Sequence, residues 1–155
     1  MLYYLSLGSN LGDREHALNA AKRLIEQQIG RITRCSSFFY SEPWGFESEH
    51  AFCNLCCAVE TRLSPLAMLS ATQAIERALG RTKKSSDGHY SDRTIDIDII
   101  RAFDENGNEK SYNFQLSTVN LVIPHPLWQE RDFVRIPLDE IEQKKSHMCK
   151  DLRDF

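Results

Sequence analysis

Apolar and polar positions along this chain repeat at two periods, and the switches between them predict its elements. Residues 2–7 form a short apolar run of strand type, Leu2-Tyr3-Tyr4-Leu5-Ser6-Leu7. The cluster Gly8-Ser9-Asn10-Leu11-Gly12-Asp13 reads as a turn whose last residue can cap a helix. Over 14–29 the residues Ala17, Leu18, Ala21, Leu24, Ile25 and Ile29 recur at helical spacing. Gly30 stands where a helix C-terminus favours a left-handed residue. Residues 32–40 predict a second strand, 41–50 a loop and 52–61 a third strand. Ser64 and Pro65 suit a helix N-cap and first position, and Met68, Leu69, Thr72, Ile75 and Leu79 give that helix a buried stripe ending at Gly80. A polar, basic loop over 81–91 precedes a fourth strand at 95–102. Asn106-Gly107 signals a hairpin, 116–123 returns as a strand, Pro124-His125-Pro126 breaks it, and a short helix follows over 127–133.

The order β-α-β-β-α-β predicts an α+β fold, a ferredoxin-like sandwich with an antiparallel sheet and both helices on one face, extended by a C-terminal hairpin and short helix. The other face of the sheet is then free to build a site. The length of 155 residues suits one domain. It is expected to span 1–141, with 142–155 a polar, mobile tail. There is no internal repeat.

The fourth strand carries the sharpest chemical signal. Alternation puts Asp96 and Asp98 on one face and Ile95, Ile97 and Ile99 on the other. Such a segment is either an amphipathic strand with a wet face or a metal site, and the pattern alone leaves both open. Asp is among the poorest strand formers, and two acids on one face repel unless a cation lies between them. Mg²⁺ favours one or two carboxylates plus phosphate oxygens over a cage made wholly of protein. Arg81, Lys83, Lys84 and Arg93, just upstream, suit a polyphosphate.

Composition narrows the classes. The formal net charge is −3, with 41% hydrophobic and 26% charged residues. That balance argues against general nucleic-acid binding, whereas a local basic cluster between Arg77 and Arg101 fits a small anionic ligand. No run of about 18 apolar residues suggests a membrane span, and the start has no signal-peptide pattern. A cytoplasmic protein is expected, with its five cysteines reduced. Cys53 and Cys56 form a C-x-x-C without a second ligand pair, so buried apolar packing is expected for Cys56 and Cys57 rather than zinc.

Four segments, in order, resemble the 6-hydroxymethyl-7,8-dihydropterin pyrophosphokinase family. They are Gly8-Ser9-Asn10-Leu11-Gly12, the Ser41 to Gly45 loop followed by Phe52-Cys53-Asn54, the strand Asp92-Arg93-Thr94-Ile95-Asp96-Ile97-Asp98-Ile99, and Ile123-Pro124-His125-Pro126 with Arg131, Asp132 and Phe133 beyond. The resemblance implies transfer of pyrophosphate from ATP to the pterin hydroxymethyl group, giving AMP. It implies two Mg²⁺ ions held by Asp96 and Asp98, and phosphate contacts from Arg81 and Arg93 as fork-shaped donors. Lys83, Lys84 and Tyr90 match the basic and aromatic positions of a lid, Lys83 replacing a frequent arginine. Asp92 departs from the small residue or proline expected before Arg93.

The same resemblance assigns Gln73, Glu76, Ile99, His125 and Arg131 to ATP. It assigns Ser41, Glu42, Trp44, Phe52, Asn54, Asp96 and Phe133 to the pterin, with Phe52 and Phe133 stacking on its two faces. Glu42 stands where the family often has proline, and Trp44 is larger than its usual aliphatic residue. Gln73 and Glu76 lie off the predicted stripe, and a solvated helix face is the other reading of that pair. An RNA-binding module would stack bases on the free face, where the aspartates here would repel a backbone. A metal hydrolase would need more carboxylates or histidines. A monomer acting on ATP and a pterin, with no nucleic-acid or membrane partner, is the expectation.

Overall fold

Strand β1 (Leu2–Ser9) is buried from Tyr3 to its end. A strand covered on both faces and paired on both edges reads as a near-continuous apolar run, and β1 does. The computed structural model describes residues 1–41, 51–80 and 94–144. Helix α1 (Arg14–Gln28) follows β1, capped by the Asp13 carboxylate, which accepts from the His16 N–H. Then come β2 (Arg31–Cys35), β3 (Phe39–Ser41), β4 (Phe52–Glu60) and α2 (Pro65–Ala78), whose N-cap Ser64 accepts from the Ala67 N–H. After β5 (Asp96–Phe103) the chain forms β6 (Glu109–Lys110), β7 (Tyr112–Gln115), β8 (Asn120–Ile123), a 3-10 turn at Trp128–Glu130 and α3 (Asp132–Lys144).

The main sheet runs β2-β4-β1-β5-β6, with β3 also on β4, and every pairing is antiparallel. This is the ferredoxin-like arrangement expected from the order of elements. Helices α1 and α2 share one face, where Leu18, Ile25, Met68 and Ile75 pack on Tyr3, Leu5, Leu7, Leu55, Ile97 and Ile99. The β1–β5 register shifts by one between Tyr4 and Leu5, leaving Ile100 as an extra residue in β5. Such a bulge reverses the alternation, so Ile97, Ile99 and Ala102 face the helices while Ile100 and Phe103 face away.

Three expectations change. The strand expected at 32–40 is two strands, because at Ser36 the hydroxyl and the N–H take over pairing with Cys56. The return strand expected at 116–123 is the second half of a separate hairpin, β7 with β8, closed by a turn between Leu116 and Val119. The helix expected at 127–133 is only a 3-10 turn, and a longer helix follows it to Lys144. Pro137 inside that helix disguised it, since proline removes one backbone donor and reads as a breaker.

The consequence is spatial. Val134, Leu138 and Ile141 of α3 bury against Tyr4, Cys56, Ala58, Ile100 and Phe103, making a second core on the face expected to be open. Arg34 reaches across from β2, its Nη1 donating to the Ile141 carbonyl at 2.8 Å and its Nη2 to the Tyr4 hydroxyl at 3.2 Å. Ser37 donates from both N–H and hydroxyl to the Glu140 carboxylate at 2.9–3.1 Å. Among the described residues, the end of the second face beyond α3 remains for a site. Leu138→Ala is expected to lower unfolding stability by about 2–5 kcal/mol, the range for emptying a buried leucine site. Guanidinium melts showing less than about 0.5 kcal/mol would mean that α3 does not dock.

Candidate active site

At the uncovered end three strands set side chains in rows. Gly8 of β1 stands opposite Asn54 of β4 and Asp96 of β5, and one rung inward Ser6 stands opposite Cys56 and Asp98. A Cβ at Gly8 would meet Asn54 Oδ1 at 2.7 Å and Phe52 Cδ1 at 3.8 Å. The missing side chain therefore leaves a slot floored by backbone, with Asn54 and Phe52 on one side and Asp96 on the other. Strand glycines commonly mark such close approaches. The sequence reading placed Gly8 in a turn, although its position directly after an apolar run was the available signal.

Asn54 is buried, and its Nδ2 donates to Ser41 Oγ at 3.0 Å. That bond fixes which end of the amide faces Gly8, where the oxygen lies closest. Ser41 is delivered by the short β3–β4 pairing, in which it sits opposite Phe52. The Cys53 and Cys56 side chains enter different cores, so this C-x-x-C presents its thiols to opposite faces. Burial pushes the Cys53 thiol up to about 11 and Cys56 up to about 12.

Glu76 is buried, not on a solvated helix face. Its Oε2 accepts the Ile97 N–H at 2.9 Å. Ile97 lies between the two aspartates, so α2 holds the outer edge of β5 at the point where they project. Gln73, one turn earlier, is exposed. The Ile99 side chain is buried in the helix-side core. By strand alternation its backbone groups point to the same outer edge as the Ile97 N–H.

The Pro124-His125-Pro126 segment docks beside β5, the His125 N–H donating to the Ile100 carbonyl at 2.8 Å. Its Nδ1 accepts from the Leu127 N–H at 3.2 Å, which leaves the proton of the neutral ring on Nε2. Burial and the Arg131 charge lower the His125 pKa from 6.5, and the Asp96 charge opposes them. His125, Arg131 and Asp96 thus lie within electrostatic reach of one another. The Arg131 guanidinium sits 5.8 Å from the centre of the Phe133 ring, which packs at the start of α3 on the second core. Glu42, Trp44, Arg81, Lys83, Lys84, Tyr90, Asp92 and Arg93 lie outside the described residues.

Among the described residues no cluster of three or more His, Cys, Asp or Glu could hold a metal alone. The two aspartates on a glycine-lined face match a hard cation that completes its shell with substrate oxygens and water.

Comparison with known proteins decides the family. The model of 7,8-dihydro-6-hydroxymethylpterin-pyrophosphokinase (HPPK) matches residues 4–143. The chain belongs to this family. It is 46% identical over 140 residues to 2-amino-4-hydroxy-6-hydroxymethyldihydropteridine pyrophosphokinase of Porphyromonas gingivalis, covering 90% of each protein. It is 38% identical to the Bacillus subtilis protein of the same name, covering 91% of this chain and 78% of that one. A Plasmodium falciparum HPPK-DHPS crystal structure shares the fold, with a TM-score of 0.63 at 18% identity over 90% of this chain. The chain spans 40% of that longer protein. The HPPK chain described here is thus an enzyme, a pyrophosphokinase of folate biosynthesis that uses ATP and Mg²⁺ to pyrophosphorylate hydroxymethyldihydropterin. The RNA-module alternative also conflicts with the geometry, because α3 occupies the face such a module would present. No helix among the described residues is long and apolar enough to cross a membrane.

The lowered His125 pKa carries a sign. The folded protein holds fewer protons on this ring than the unfolded chain does, so its contribution to stability is complete above about 6.5 and is lost as pH falls through the folded value. Replacing Asp96 with Asn removes the charge that raises the His125 pKa. NMR titration of the ring protons should therefore find it lower still in that variant. An unchanged or higher value would mean that the two groups do not interact.

Proposed function

We propose that the row of Asn54, Gly8 and Asp96 binds the pterin and that Asp96 and Asp98 hold two Mg²⁺ ions shared with the phosphates of ATP. The observation that carries this reading is the register of β1, which sets an amide and a carboxylate on either side of a strand position with no side chain. The buried Asn54 amide, oriented by Ser41, pairs with the polar edge of the pterin. Phe52 and Phe133 stack on its two faces, and Glu42 and Trp44 form its rim. Asp96 reaches the hydroxymethyl end, since it projects from the strand opposite Asn54.

ATP lies along the outer edge of β5. Gln73 and the outer-edge backbone groups at Ile99 face its adenine side. Glu76 contributes through its hold on β5 at Ile97. Arg131 and the neutral Nε2–H of His125 contact the phosphates, together with Arg81, Lys83, Lys84, Tyr90 and Arg93 of the segment between α2 and β5. The pterin alcohol oxygen attacks the β-phosphorus of ATP, the bond to the α-phosphate oxygen breaks, AMP leaves with that electron pair, and the hydroxyl proton is released. Bound Mg²⁺ supplies charge neutralisation at the phosphate oxygens and lowers the pKa of the attacking alcohol. The arginines spread positive charge over the same oxygens, and the two rings exclude water from the alcohol. The enzyme works as a monomer in the cytoplasm on this reading.

Purified protein given ATP, Mg²⁺ and 6-hydroxymethyl-7,8-dihydropterin should release AMP only when the pterin is present. Asp96→Asn and Asp98→Asn should each lower kcat by about a hundredfold or more, with thermal melts unchanged. Near-parental turnover in either variant would falsify the metal assignment. Asn54→Ala should raise the pterin KM while leaving the ATP KM in place. Light scattering should give the mass of one chain.

A further inference from the structure

The first turn of α1 carries two charged side chains that reach away from the helix to the strands behind the slot. Arg14 Nη1 donates to the Ala51 carbonyl at 2.6 Å, and the same guanidinium lies 5.4 Å from the centre of the Tyr40 ring. The Tyr40 hydroxyl donates to the Glu15 carboxylate. Tyr40 belongs to β3 and Ala51 directly precedes β4, so these contacts join the two strands at their outermost rungs, where Tyr40 faces Cys53 and Ser41 faces Phe52. Both charges are felt at Cys53, where Glu15 raises and Arg14 lowers the thiol pKa.

β3 has three residues, and its strand partner among the described residues is β4. Three rungs alone hold a strand weakly. Alternation turns Tyr40 toward α1 and its neighbour Ser41 toward the slot, where Ser41 Oγ accepts the Asn54 amide. A charge-assisted bond on the helix side thereby reaches the slot one residue away without touching substrate.

We propose that Arg14 is a positioning residue for the pterin slot: by gripping the Ala51 carbonyl and the Tyr40 ring together, it fixes the rung of Ser41 and Phe52 and so the orientation of the Asn54 amide. This rests on the reading of that slot as the pterin site. Glu15 sets the angle of the Tyr40 ring, and the Arg14 fork supplies the tie.

The test is steady-state kinetics on the full chain with Arg14→Met, which keeps the aliphatic stem and loses the donor, beside Arg14→Lys, which keeps a donor. In the Met variant the pterin KM rises about tenfold, as expected for loss of a charge-assisted hydrogen bond. Its kcat and ATP KM stay within about twofold, and the Lys variant recovers most of the loss. With an active parent, an unchanged pterin KM in the Met variant overturns this proposal alone. So does an ATP KM that rises in step, because that marks a general loosening of the fold. A parent that forms no pterin-dependent AMP overturns the slot reading and this proposal with it.

Discussion

The register of β1 against β4 and β5 is the constraint from which the rest of the structure follows. Both faces of β1 are covered, so a slip of one residue in either pairing would exchange every side chain between faces. Asp96 and Asp98 would then point into the core formed with α1 and α2, while Ile97 and Ile99 would line the site. Burying two carboxylates without partners costs several kcal/mol each, and that cost opposes the wrong register. The bulge at Ile100 lets one strand satisfy two demands. Ahead of it the aspartates project at the open end, and beyond it Phe103 turns to meet α3 while Ala102 turns to the other helices.

The two cores divide the labour. The larger one, under α1 and α2, sets the sheet and through Glu76 holds the edge of β5 between the aspartates. The smaller one, under α3, covers the far half of the second face and brings Arg131 and Phe133 to the border of the open half. Arg34, Ser37 and Glu140 tie that helix to the β2–β3 connection. A third helix therefore limits the open half on one side, with Phe133 in its first turn and Arg131 directly before it.

Electrostatics at the site follow from this division. His125 is held neutral because burial and Arg131 outweigh the pull of Asp96, and the Leu127 N–H occupies its Nδ1. It is thereby a hydrogen-bond donor at Nε2 rather than a cation.

Much of this was legible in the residue pattern. The order of elements, the caps at Asp13 and Ser64, the Asn106-Gly107 turn and the facing of Asp96 and Asp98 depend on local periodicity and local hydrogen bonds, which sequence carries directly. Four ordered motifs also pointed to the family that the comparisons bear out. Other features depend on partners distant along the chain. Glu76 was open in sequence between an ATP contact and a solvated helix face, because nothing nearby reveals the Ile97 N–H that it accepts. Gly8 looked like a turn residue because its slot exists only when Asn54 and Asp96 flank it. Helix α3 was hidden by Pro137, whose local cost is offset by a core drawn from β1, β4 and β5. The sequence by itself determined the β-α-β-β-α-β order of the main elements and the face on which the carboxylates lie, since periodicity and side-chain alternation are local. Only the tertiary structure decided which half of that face stays open and what stands beside the carboxylates, because long-range register and helix docking set both.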